Sequence, residues 1–107
     1  MSDDAIVVFM TAANGEEATR LAEMLVGAHL AACVQILPEM ESVYRWQGKI
    51  ERSSEVLLIA KTTREKFDDL EREVRALHSY DTPEIVAVPI VTGSAAYLEW
   101  LSKAASS

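Results

Sequence analysis

Apolar and polar positions along this chain fall into blocks of two different periods. Residues 5–10, Ala5-Ile6-Val7-Val8-Phe9-Met10, form an unbroken apolar run rich in β-branched side chains, which predicts an interior strand. From Gly15 or Glu16 to about Leu30 the period becomes helical. Ala18, Leu21, Ala22, Leu25 and Ala28 form the buried stripe, and Glu16, Glu17, Arg20 and Glu23 the wet side. Asn14 with Glu17 three residues on is a capping-box pattern that marks the helix start.

Residues 32–62 read as one long hairpin. Gln47-Gly48 is its turn, with Gly48 free to take a positive φ. Pro38 has no N–H to donate and predicts a bend or bulge in the first arm. Met40, Ser42, Tyr44 and Trp46 share one face of that arm, and Glu41, Val43 and Arg45 the other. Residues 49–54 are polar and are expected to protrude beyond the sheet. In the second arm Val56, Leu58 and Ala60 point one way and Leu57 and Ile59 the other, so the strand is apolar on both faces. Such a strand needs cover on both sides. One layer of helices covers one side, and another subunit is the natural source of the second cover.

Thr62 as N-cap with Glu65 as its partner predicts a second helix, with Phe67, Leu70, Val74 and Leu77 as its core face and an end near Leu77 or His78. A loop over residues 79–83 leads to a strand over residues 84–91, which Pro89 places at a sheet edge or a bulge. Ser94 caps a last helix from Ala95 to about Lys103, and residues 104–107 read as a frayed tail. The order β-α-β-β-α-β with an added C-terminal helix predicts an α+β, ferredoxin-like sandwich forming one domain over residues 1–107. Two helices then cover one sheet face and leave the other bare.

Composition adds three constraints. A chain of 107 residues buries only about two thirds of its unfolded surface alone, which gives oligomerisation a physical motive. A net charge of −7 repels phosphate backbones and argues against nucleic acid as a partner, while attracting cations weakly. The single cysteine, Cys33, excludes an intrachain disulfide and suits a reducing compartment. The start, Met1-Ser2-Asp3-Asp4, is acidic where a signal peptide is basic, and the apolar run behind it is too short to span a membrane. The expectation is a cytosolic protein with no membrane association.

Five stretches then point to a family. Leu30-Ala31-Ala32-Cys33-Val34, Tyr44-Arg45-Trp46-Gln47-Gly48-Lys49-Ile50, Glu55-Val56-Leu57-Leu58, His78-Ser79-Tyr80-Asp81-Thr82-Pro83-Glu84-Ile85 and Tyr97-Leu98-Glu99-Trp100 together resemble the divalent-cation tolerance proteins, the CutA family. The resemblance spans nearly the whole chain in order. It implies a ferredoxin-like subunit in a tight homotrimer, with an architecture similar to the PII signalling proteins, which bind small effectors between subunits. It also implies a link to tolerance of copper or other divalent cations. The metal ligands it implies are a cysteine ending the first strand and a His-His pair before the Tyr-x-x-Pro loop. Here those positions are Met10 and Leu77-His78, and Ser79 stands where the family has proline. Met10 could serve Cu(I) as a thioether, whereas Leu77 ligates nothing.

Each candidate also has a plainer role. His78 and His29 fit helix C-termini, where a histidine meets the last carbonyls. Cys33 and Met10 fit as buried apolar side chains. Tyr44, Trp46, Tyr80, Tyr97 and Trp100 fit an interface. Alternatively, Tyr44 and Trp46 wall a ligand cleft at a subunit boundary, with Lys61, His78 and Glu84 as polar contacts. Glu55 could pair with Lys61, and Asp81 with His78. No catalytic triad, P-loop or dinucleotide glycine pattern is present, so the expectation is a non-enzymatic protein with no required cofactor. Three roles follow: weak binding of copper or another divalent cation, sensing of a small metabolite between subunits, or a structural trimer that anchors another protein.

Overall fold

The computed structural model describes residues 4–106. Residues 1–3, which open the acidic start, and Ser107, the end of the expected tail, lie outside the described residues. Four strands and three helices follow in the order β1 Ala5–Ala12, α1 Gly15–Gly27, β2 Cys33–Trp46, β3 Lys49–Thr63, α2 Phe67–Leu77, β4 Ile85–Pro89 and α3 Ala95–Ala104, with a 3-10 turn at Arg64–Lys66 before α2. The sheet has the order β2-β3-β1-β4 and every neighbouring pair is antiparallel. This is the ferredoxin-like pattern expected, with β4 and its Pro89 on an edge.

Alternation along the strands sends Ile6, Val8, Met10, Val56, Leu58 and Ala60 to one face, all buried. Ala18, Leu21, Ala22 and Leu25 of α1 and Leu70 and Val74 of α2 close over them in one cluster. The opposite face is not wholly bare. Leu101 of α3 and Ala105, which caps its end, pack there on Ala5 and Ala32, small residues that let the helix sit close. Ala105, expected in a frayed tail, is therefore buried. Beyond α3 this face presents Phe9, Leu57, Ile59, Val86 and Val88, none of them fully buried.

The hairpin forms as expected. Gln47 and Gly48 both have positive φ, 51° and 80°, as a type I′ turn requires. The β2–β3 register shifts between Leu37 and Met40, at Pro38. β1 reaches β3 only over residues 56–63. Residues 49–55 pair with β2 alone and carry an arm about 23 Å past the sheet. The arm accounts for the 44 Å long axis of a molecule otherwise 25 by 22 Å.

Three local expectations are corrected. α1 stops at Gly27, because His29 takes a left-handed φ of 60° and the Leu30 and His29 N–H groups turn back to Leu25 and Val26 carbonyls at 2.9 and 3.2 Å. That is a Schellman cap with histidine where glycine is usual, and Ala28 is left exposed. Thr62 does not cap α2. β3 continues through Thr63, so Thr62 still points inward, and its hydroxyl donates to the Leu30 carbonyl at 2.8 Å. Leu77 is 42% exposed, and the inward position at that helix end goes to His78.

Candidate functional site

Polar groups converge in the interior at the end of β1. Only Ala13 and Asn14 join β1 to α1, so the start of α1 stays over the end of the sheet. The Asn14 side chain accepts the Glu17 N–H at 2.9 Å, the expected cap. The Glu17 side chain turns inward and is 3% exposed, against the expectation of a wet residue. Its Oε1 accepts the Ala13 N–H at 2.8 Å, and its Oε2 accepts the Ser79 N–H at 2.7 Å. Burial pushes this carboxyl up. The Ala13 and Ser79 donors outweigh that and hold it below the usual carboxylate range.

His78 stands next to it, its side chain fully buried and its Nδ1 3.7 Å from Glu17 Oε2. The Tyr80 backbone N–H donates to Nδ1 at 3.0 Å, so that nitrogen carries the lone pair. Nε2 then carries the hydrogen and donates to the Thr11 carbonyl at 2.7 Å. The Tyr80 ring lies 4.8 Å from the imidazole, and its hydroxyl donates to Glu55 Oε2 at 2.9 Å. Burial first, then the bond to Glu55 and its charge, push the Tyr80 phenol up to about 12. Among the described residues no buried side-chain nitrogen or oxygen is left without a partner.

The candidates read from the sequence scatter over the chain. Met10 lies at the centre of the core on the helix-covered face. Cys33 is in register with Lys61, which is in register with Val7, so it sits on the opposite face, about 13 Å along the sheet from Thr11. Its thiol lies 3.8 Å from the Tyr97 hydroxyl. Burial, then this contact, raise the Tyr97 phenol. Both ring nitrogens of His78 are occupied. These three residues therefore do not form a metal centre within one chain. Among the described residues no group of three His, Cys, Asp or Glu side chains could hold a metal ion.

The cleft set is equally dispersed. Tyr44 and Trp46 lie near the tip of the arm, facing Glu51 and Lys49, while Lys61 lies about 40 Å down the same strand from Lys49. Lys61 donates to Gln35, and Glu84 is exposed just before β4. Within one chain these residues do not come together. Glu55 pairs with Tyr80 and not Lys61, and Glu17, not Asp81, is the carboxylate beside His78. Glu17 and Thr11 were missing from the sequence-based set, and Tyr80 and Glu55 were placed there only as an interface aromatic and as a partner for Lys61. The one signal was the capping box, which draws Glu17 back over the strand end.

Sheet order, helix placement and projecting hairpin define a ferredoxin-like fold with an elongated β2–β3 arm. The family model described as CutA1 divalent ion tolerance protein matches residues 6–104. Protein CutA, chloroplastic, of Arabidopsis thaliana is 50% identical over 97 residues, covering 91% of this chain and 53% of that one. The divalent-cation tolerance protein CutA of Thermus thermophilus is 48% identical over 95 residues, covering 89% and 92%. The chain thus spans about half the length of its plant relatives and nearly all of the Thermus one. The solved structure of the Thermus thermophilus protein superposes with a TM-score of 0.91 at 46% identity, covering 92% of this chain and 96% of that one. The Xylella fastidiosa CutA structure gives 0.93 at 37%, covering 96% and 99%. The chain belongs to the CutA family. Among the described residues no helix is long and apolar enough to cross a membrane.

Proposed function

We propose that this protein is a cytosolic homotrimer that contributes to divalent-cation tolerance as a binding protein, without catalysis. The observation that carries this reading is the second face of the sheet. Phe9, Leu57, Ile59, Val86 and Val88 form a half-covered apolar surface beyond α3, and an arm with Trp46 57% exposed projects past it. A bare face and an arm in need of cover suit a head-to-tail contact, which forms a ring when its rotation closes. The number three follows the family resemblance.

Light scattering at micromolar concentration is expected to report three times 11.8 kDa. A particle of 11.8 kDa would overturn the reading. Ile59→Asp, which puts a charge on the bare face, is expected to yield monomers.

In this reading divalent cations, copper among them, are met weakly by surface carboxylates under the net charge of −7. Met10, Cys33 and His78 are not the ligands. Calorimetric titration with Cu(II), Cu(I) and Zn(II) is expected to show weak, salt-sensitive uptake that survives Cys33→Ser. Saturable binding lost in that variant would assign the role to Cys33.

The exposed Tyr44 and Trp46 favour a second reading, a small metabolite held between subunits. Lys61 and Glu84 would supply its polar contacts, and His78, fully bonded, would not. A ligand-dependent rise in melting temperature, lost in Trp46→Ala with the trimer intact, is the expected sign. A flat response across nucleotides and carboxylates would remove this reading.

A further inference from the structure

The arm changes character at one residue. Going outward along the hairpin, Val56 is the last residue of β3 opposite β1, paired with Ala12, and Glu55 is the first with β2 as its sole strand partner. Glu55 stands opposite Met40, immediately past the register shift in β2. A bulge bends and twists a strand pair, and a two-stranded ribbon without a third strand is marginal alone. The root of the arm is therefore where this subunit would flex.

A side chain is fastened at that point. The Tyr80 hydroxyl donates to Glu55 at 2.9 Å. Tyr80 is itself held by its N–H on His78 Nδ1, and His78 is held by the Thr11 carbonyl. Ser79, one residue before, is tied to Glu17 of α1. The loop after α2 thus links the body of the subunit, at the end of β1, to the first residue of the free arm.

We propose that Tyr80 is a positioning residue that latches the root of the hairpin and sets the direction of residues 40–54 relative to the sheet. The latch is a property of one chain. Its consequence for assembly, an arm presented at one angle to a neighbour, rests on the trimer reading.

Hydrogen exchange on the full chain tests it. In Tyr80→Phe the arm is expected to exchange at least about tenfold faster, while β1 and α1 keep their wild-type protection. Glu55→Ala is expected to reproduce this, and Glu55→Gln, which keeps an acceptor, to restore slow exchange. Unchanged arm exchange in Tyr80→Phe overturns the proposal. So does a rise in the arm matched by an equal rise in β1, which would mean general loosening. Light scattering on the same samples reads the subunit number separately, so failure of the latch and failure of the trimer are distinguishable.

Discussion

The Glu17 carboxylate accepts the backbone N–H of Ser79 at 2.7 Å, across 62 positions of sequence. This bond joins the first turn of α1 to the loop that follows α2. The same carboxylate accepts the Ala13 N–H, so one buried charge satisfies donors from two connections.

Removing that charge strands both donors. Glu17→Ala is expected to cost about 3 kcal/mol in urea denaturation, since hydrogen bonds to a charged acceptor contribute about 1.5–3 kcal/mol each. The folded carboxyl titrates below its ordinary value. Its contribution is therefore complete above the unfolded value and is lost as pH falls through the folded one. Glu17→Gln is expected to flatten the acid limb of the stability profile.

On the alkaline side the sign reverses. The Tyr80 phenol is pushed up to about 12 by burial and by Glu55. Its contribution is complete below the unfolded value near pH 10 and is lost between about 10 and about 12. Tyr80→Phe is expected to reduce the alkaline slope of melting temperature against pH. Part will remain, because burial and Cys33 also raise Tyr97.

His29 occupies the left-handed position of the α1 cap, at φ 60°, with its side chain exposed. An L residue there is strained by about 1–2 kcal/mol, and glycine is not. His29→Gly is expected to raise the urea midpoint by the equivalent of about 1 kcal/mol, after glycine's greater loss of chain entropy. A fall in the midpoint would show that the imidazole contributes more than the strain costs.

α3 is held by Leu101, its one fully buried side chain, with Ala105 at its end and Leu98 and Ala104 partly buried beside them. Leu101→Ala is expected to cost about 2–5 kcal/mol by transfer and cavity terms. It should loosen α3 before the sheet. Trp100, at the surface of that helix and 5.5 Å from the Tyr97 ring, is the fluorescence reporter.

Element types, their order and the hairpin turn were legible in the sequence because each is a local matter. Period, Pro38, Gln47-Gly48 and the Asn14 and Ser94 caps act within a few residues of themselves. The two-sided apolarity of Leu57, Leu58 and Ile59 likewise announced a sheet needing two covers. What only the tertiary structure decided was where polar side chains end up. Glu17 carries a surface pattern in sequence, yet it lies inside because a two-residue connection and the Ser79 N–H draw it there. His78 reads as a cap on the last carbonyls of its helix or as a ligand, yet Thr11 and Tyr80 use both of its nitrogens. α3 lies on the face that the strand pattern left bare, since Ala5 and Ala32 become neighbours only after the sheet has formed. Hydrophobic period is a one-dimensional signal, whereas the partner of a buried polar atom depends on which distant backbone groups the fold leaves unpaired.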